Sequence, residues 1–338
     1  MTEVIEETIN FIRTEPVLSV SSILAVISCL FVRPSISYIN YIHWNTLLLL
    51  LVIMIIVEVL KNLTLFEILV RKLLSNTRNT RELVFILVFT CFISSIFITN
   101  DISLIIFVPF TILSLKKINH DNLIIPTVSL QTIAANVGCM MLPTGAPHNI
   151  VIYTISGISF KAFFLMLLPY VILSVIFLTI ALIFIPKKKI NIPSMAKIEI
   201  NRHNFIQRVI LGVDYYLLLT FIALFILMGN LQNIPLVNMF FKQIIVGNEV
   251  LSGIIISQVI SNVPSAMLLS AFSSNYEAII IGINIGGFGT LLASMANLIS
   301  FNIIIHQYNK HKLRYLLVFT ALNIVLLVLL LGLYIITG

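Results

Sequence analysis

Hydrophobic residues fill nine long stretches of this chain, roughly 17–32, 45–60, 82–115, 122–155, 163–185, 213–231, 248–273, 277–306 and 315–336, and charges gather in the gaps. A bilayer core of about 30 Å takes about 20 residues of helix, so these stretches predict membrane-spanning helices. Four of them carry polar breaks in mid-run. The first is Thr99-Asn100-Asp101-Ile102-Ser103, and the second runs from Asn136 and Gly138 through Thr144 to Asn149. The third is Ser261-Asn262-Val263-Pro264-Ser265, and the fourth runs from Asn284, Gly286, Gly289 and Thr290 to Asn297. Polar side chains at membrane depth are costly unless they line a cavity or a binding site.

The breaks fall into two matching pairs. Asn100 and Asn262 lie 162 residues apart, while Asn136 and Asn284 lie 148 apart, as do Asn149 and Asn297. Such paired interruptions point to an internal repeat of the kind that builds secondary transporters. The pattern predicts one integral membrane domain over 1–338 in two repeats. Residues 1–185 hold a hairpin (82–115) and a broken helix (122–155); residues 186–338 hold a hairpin (248–273) and a broken helix (277–306).

Charge orients the repeats. If both hairpins return to the side they entered from, 17 of the 20 Lys and Arg fall on the cytoplasmic side and only Arg33, Lys161 and Lys242 fall outside, as the positive-inside rule requires. Residues 263–273 supply only about 17 Å of helix, so the second hairpin turns inside the membrane. The parallel motif assigns the same geometry to the first, giving two re-entrant hairpins of opposite orientation. The expected fold class is therefore an all-α polytopic membrane protein, an inverted repeat with two discontinuous transmembrane helices. Stretches 62–75 and 236–246 are amphipathic and read as helices along the membrane interface.

Composition agrees with this reading. The chain is 59% hydrophobic and 10% charged, with mean hydropathy +1.10, against about 25% charged residues in soluble domains. The net charge of +7 belongs to cytoplasmic loops, and no basic stripe with interleaved aromatics marks a nucleic-acid partner; the partner is the lipid bilayer. Cys29, Cys91 and Cys139 lie in apolar runs without metal-site or disulfide spacing. The acidic N-terminus lacks the basic region of a signal peptide and reads as retained. The wealth of Ile, Asn and Lys points to a prokaryotic plasma or inner membrane.

Glu58, Asp214, Glu249, Glu277 and His306 fall near predicted helix ends; Asp101 and His148 lie deep within breaks. His148 follows Pro143-Thr144-Gly145-Ala146-Pro147, which cannot continue a helix, and it reads equally as a ligand or a structural residue. Broken helices expose N–H groups suited to an anion and carbonyls suited to a cation. Thr99, Asn100, Ser261, Asn262, Ser265, Asn149 and Asn297 supply further oxygens and amides, and glycines 138, 286, 287 and 289 admit close backbone approach. Na+ would sit near Asn100, Asp101 and Asn262. Alternatively Asp101 carries a coupling proton, or caps residues 102–115. No paired carboxylates or metal cluster mark an intramembrane enzyme, and no Gly-Lys-Ser/Thr phosphate loop marks an ATP-driven pump; no cofactor beyond a coupling ion is expected.

At these residues the chain resembles the ion transporter superfamily, which includes arsenite permeases, citrate transporters, divalent anion–sodium symporters and one class of sodium–proton antiporters. The matching stretches are TNDISLIIFVPF, NVGCMMLPTGAPHN, SQVISNVPSAMLL and GGFGTLLASMANLIS, most similar to the small anion-permease or citrate-transporter-like branch. The resemblance implies a mobile unit of hairpins and broken helices on a dimeric scaffold, here trimmed, working by elevator-type alternating access. It implies a small anion or oxyanion as solute with H+ or Na+ coupling, and leaves cation–proton antiport as the alternative. In the divalent-anion branch each tip carries Ser-Asn-Thr. Thr99-Asn100-Asp101 and Ser261-Asn262-Val263 depart from that, which leaves the coupling ion and the solute open. Arsenite permeases can work with an ATPase, and the sequence leaves room for such a partner.

Overall fold

The computed structural model describes residues 15–63, 77–190, 204–308 and 311–337. The acidic N-terminal segment, most of the amphipathic stretch 62–75 and the basic positions Arg13, Arg71, Lys72, Lys197, Arg202 and Lys310 lie outside the described residues.

Among the described residues the fold is all helical, with one isolated bridge, Asn79 to Lys189, in place of a sheet. The first half comprises α1 (Pro16–Ser28), α2 (Trp44–Asn62), α3 (Thr80–Ile98), α4 (Asn100–Lys117), α5 (Ile124–Gly138), α6 (Pro147–Ser156) and α7 (Phe160–Ile183). The second comprises α8 (Phe205–Gly212), α9 (Tyr215–Asn233), α10 (Pro235–Ile245), α11 (Glu249–Ile260), α12 (Asn262–Phe272), α13 (Tyr276–Gly286), α14 (Met295–Tyr308) and α15 (Lys312–Thr337). Five runs are long and apolar enough to cross a membrane: α2, α3, α7, the run 205–233 through α8 and α9, and α15. The pair α10–α11, bent by 112°, makes a sixth if counted as one span. Large apolar side chains stand exposed on α1, α2, α7 and α15, a surface suited to lipid. The protein is a polytopic membrane protein.

Helix starts follow local capping chemistry. Asn79 caps α3 by accepting from the Glu82 N–H at 3.0 Å, and the Glu82 carboxylate accepts from the Arg78 N–H, just ahead of the cap, at 3.1 Å. Asp214 caps α9 through the Leu217 N–H at 3.0 Å. Glu249 opens α11 and accepts from Ser273 at 2.8 Å. Glu58 lies in the last turns of α2, paired with Lys61 at 3.1 Å, so the acids expected near helix ends are found there.

The four interrupted stretches are interrupted, with two corrections to their limits. Hairpin 82–115 breaks at one residue, Thr99 (φ 62°, ψ 152°), and hairpin 248–273 at one residue, Ser261 (φ 72°, ψ 159°). Both lie in a region that non-glycine residues rarely occupy. One such residue ends a helix and starts the next, so Asn100, Asp101 and Ser103 belong to the first turn of α4 rather than to a loop. Thr99 is the N-cap position, which removes Asp101 as the cap of that helix. The last break extends through Ser294, beyond the glycines, because a 3-10 turn, Leu291–Ala293, intervenes before α14. The arms of the first hairpin have 19 and 18 residues, those of the second 12 and 11. At 1.5 Å per residue the short arms reach about 17–18 Å.

Packing repeats as well. α3 lies against α5, and α11 against α13; then the halves cross, with α4 against α14 and α12 against α6. Every residue of α5 except Pro126 is buried.

Candidate functional site

The second and fourth breaks share one construction at an offset of 148 residues. α5 ends at Gly138 and α13 at Gly286; 3-10 turns follow at Pro143–Gly145 and Leu291–Ala293; α6 and α14 start at Pro147 and Met295. Two of the breaks' free carbonyls are capped in the same way. Asn149 Nδ2 donates to the Cys139 carbonyl at 3.2 Å, and Asn297 Nδ2 to the Gly287 carbonyl at 3.1 Å. Gly138 and Gly286 are required by contact. A Cβ on Gly138 would strike the Phe92 carbonyl and Ser95 Oγ of α3; one on Gly286 would lie 2.9–3.0 Å from the Gly253 carbonyl, Ile254 and Ser257 of α11. Residues 92 and 95 correspond to 254 and 257 at the hairpin offset of 162.

The breaks are joined across the halves by asparagines. Asn136 Nδ2 donates to Asn297 Oδ1 at 2.9 Å, and Asn284 Nδ2 donates to Asn149 Oδ1 at 2.7 Å. Each bond links the end of one half's entering segment to the start of the other half's leaving segment. The first hairpin tip joins this network: Asn100 Nδ2 donates to Asn136 Oδ1 at 3.0 Å, and the Asp101 N–H donates to Asn100 Oδ1 at 3.1 Å. Asp101 Oδ1 has no hydrogen-bond partner among the described residues. At the second tip Asn262 Nδ2 stands 3.7 Å from where a Cβ of Gly287 would be, and Ser261 Oγ lies 3.3 Å from Asn262 Oδ1.

The expected site residues thus separate into groups. Asn100, Asn136 and Asn297 form one connected set, and Asn149 and Asn284 another, with His148 Nε2 at 3.5 Å from Asn284 Oδ1. Thr99 and Ser261 supply the strained backbone of the tips. Ser103 turns to the Cys91 carbonyl at 3.1 Å and Ser265 to the Ser261 carbonyl at 2.7 Å, so both hydroxyls serve their own hairpin. Thr144 is half-buried in its 3-10 turn. Thr290 is exposed, and Gly289, at φ 112°, holds a conformation that favours glycine.

Two glutamines that sequence reading passed over organise the surroundings. Gln258 on α11 donates to the carbonyls of Gly286 at 2.8 Å and Phe288 at 2.9 Å and accepts from the Thr290 N–H at 2.8 Å. It thereby satisfies backbone groups that the broken helix frees. Gln131 on α5 donates to the Leu87 carbonyl of α3 at 3.1 Å and to Thr111 of α4 at 2.8 Å. The available signal was a Gln inside an apolar run, Gln258 three residues before the Ser261 break and Gln131 five before Asn136.

A cavity of about 210 Å³ adjoins a more open one of about 590 Å³; the two share His43, Ile155 and Tyr276. The smaller reaches Met267 and Ser270 of α12, and neither is lined by the paired asparagines. The His43 ring packs 5.0 Å from Phe225, and burial holds its imidazole below the ordinary value.

Membrane-crossing helices around broken helices whose polar groups meet in the interior define a membrane transport protein. The chain belongs to the citrate transporter family, which it matches over residues 9–277. It is 31% identical to an uncharacterized transporter of Methanocaldococcus jannaschii, over 77% of this chain and 81% of that protein. It is 30% identical to the inner membrane protein YbiR of Escherichia coli, over 77% of this chain and 79% of that protein. A shorter match, 30% identical over 45% of this chain and 27% of the other, links it to a putative transporter, arsB, of Dictyostelium discoideum. The resemblance to the ion transporter superfamily is thereby established.

Proposed function

We propose that this transporter moves a small organic anion or oxyanion through a site between the two hairpin tips and the two broken helices, by secondary active transport coupled to H+ or Na+. The observation that carries this reading is the reciprocal pair Asn136–Asn297 and Asn284–Asn149. It joins two equivalent breaks, each with freed backbone groups, at the depth where an unoccupied polar cluster would be costly. Asparagine amides and helix N-termini suit an anion without a buried Lys or Arg.

The exchange of contacts between halves supports an inverted repeat with two re-entrant hairpins. The break equivalence supports a mobile unit made of α3–α6 and α11–α14 that travels against the remaining helices by an elevator-type motion, in a homodimer. The cavities beside His43 and α12 are suited to be its outer approach. Asp101, unpartnered at one oxygen, favours a proton or Na+ as the coupling ion and keeps cation–proton antiport on the same fold as the second reading.

Uptake into proteoliposomes decides between them. Citrate or arsenite accumulation driven by a pH or Na+ gradient is the expected result. A gradient-driven exchange of Na+ for H+ with no anion requirement favours the antiporter.

A further inference from the structure

The two asparagine pairs match in the repeat, but their outer supports do not. Asn284 is flanked by His148. Asn297 is supported from the last helix: the Ser300 hydroxyl donates to the Asn297 carbonyl at 2.9 Å, and the Tyr315 hydroxyl lies 2.8 Å from Ser300 Oγ. The residue that matches Ser300 in the first half is Ile152, which has no hydroxyl. A series of contacts therefore runs from Tyr315 on α15 through Ser300 to the main-chain carbonyl of Asn297 on α14, and from the Asn297 side chain on to Asn136 on α5. It ends at Asn100 on the first hairpin tip, with each step between 2.8 and 3.0 Å.

Tyr315 is fully buried and stacks on Phe319 at 5.7 Å. A phenylalanine would fill the same space, so packing alone does not call for the hydroxyl, and a buried tyrosine hydroxyl must find partners. Here the partner it finds is the support of a site asparagine. Buried polar networks of this kind fix a unique arrangement when every member is satisfied.

We propose that Tyr315 and Ser300 are positioning residues of the anion site, holding Asn297, and through it Asn136 and Asn100, in the arrangement that meets the solute. The proposal rests on the reading of the Asn100 tip as part of that site.

Purified full-length Tyr315→Phe keeps the aromatic stack and loses only the hydroxyl. Backbone amide exchange in peptides covering 98–103 and 287–297 is expected to quicken about fivefold, with peptide 160–183 unchanged. The citrate concentration for half-maximal thermal stabilisation is expected to rise about fivefold, the scale of one hydrogen bond. Ser300→Ala should reproduce both changes, and Tyr315→Phe should add nothing to the loss of citrate response in an Asn297→Ala background, since groups acting through one another are not additive. Exchange that quickens equally in 160–183 marks a general structural role and overturns the proposal. Wild-type exchange and citrate response in Tyr315→Phe, beside loss of citrate response in Asn100→Leu and Asn136→Leu, overturn it while the site reading stands. Normal citrate response in all three variants overturns both.

Discussion

Asn136 donates to Asn297 at 2.9 Å across 161 positions of the chain, and its counterpart 148 residues on, Asn284, donates to Asn149 at 2.7 Å. Two equivalent bonds with donor and acceptor exchanged between halves are what a two-fold relation between repeats produces. Neither bond is a generic interhelical contact, because each joins the two segments that flank opposite breaks.

The pairs are therefore expected to carry both stability and binding. Asn136→Leu strands Asn100 Nδ2 and Asn297 Oδ1, and leaving buried groups unpartnered costs about 1–3 kcal/mol. Asn284→Leu should cost a similar amount by stranding Asn149. Thermal unfolding of the two variants in detergent checks this, and loss of the anion response should accompany it. Parent-like stability in both variants would mean that the bonds are not made in solution.

The glycine contacts give a second prediction. Gly138→Ala and Gly286→Ala should each force a hairpin arm from its broken helix, at about 1–3 kcal/mol for overpacking. Ser95→Ala should fail to rescue Gly138→Ala, because the Phe92 carbonyl still occupies the space a Cβ needs. Rescue to parent stability would show that the side chain alone set the limit.

Gln258→Leu should loosen the last break without unfolding the protein. Its amide satisfies the carbonyls of Gly286 and Phe288, and its oxygen takes the Thr290 N–H. Leucine keeps the volume and leaves these backbone groups unpaired. Faster amide exchange confined to 286–294 is the expected reading; exchange equal to that of the parent protein would place the burden on Asn297 alone.

Much of this was legible in the sequence, for identifiable reasons. Apolar runs announce membrane helices because the bilayer admits little else, and an Asn within such a run stands out. The offsets 148 and 162 could be read because Asn100, Asn136, Asn149 and their counterparts are chemically conspicuous. The junctions were harder. Thr99 and Ser261 end helices through backbone conformation, which neither residue type advertises. Asn100 and Asp101 accordingly read as part of the break and proved to open a helix. Gln258, Gln131 and Tyr315 were missed because their partners are backbone carbonyls and hydroxyls brought together only by packing.

Topology can be checked directly. In a background without Cys29, Cys91 and Cys139, a cysteine at position 275 is expected to react with an impermeant reagent from outside intact cells, and one at position 117 only after permeabilisation. Labelling of position 275 from the cytoplasmic side alone would end the opposed-hairpin reading.

Asp101 supports the sharpest functional prediction. It stands in the first turn of α4, at a tip whose neighbour Asn100 already serves both Asn136 and the Asp101 N–H. Its Oδ1 is buried and without a partner among the described residues, and a buried carboxylate oxygen without a partner is costly unless it gains a proton or a cation. It is not the helix cap, since Thr99 holds that position. Asp101→Asn keeps the size and the hydrogen-bonding shape and removes the charge. The variant is expected to fold and to keep its thermal response to the transported anion. It is expected to lose accumulation driven by a pH gradient in proteoliposomes, while downhill flux persists. If Na+ is the coupling ion, the same variant loses Na+-driven accumulation and the Na+ dependence of anion binding instead. Gradient-driven uptake at the parent rate, under both gradients, would remove Asp101 from the coupling step.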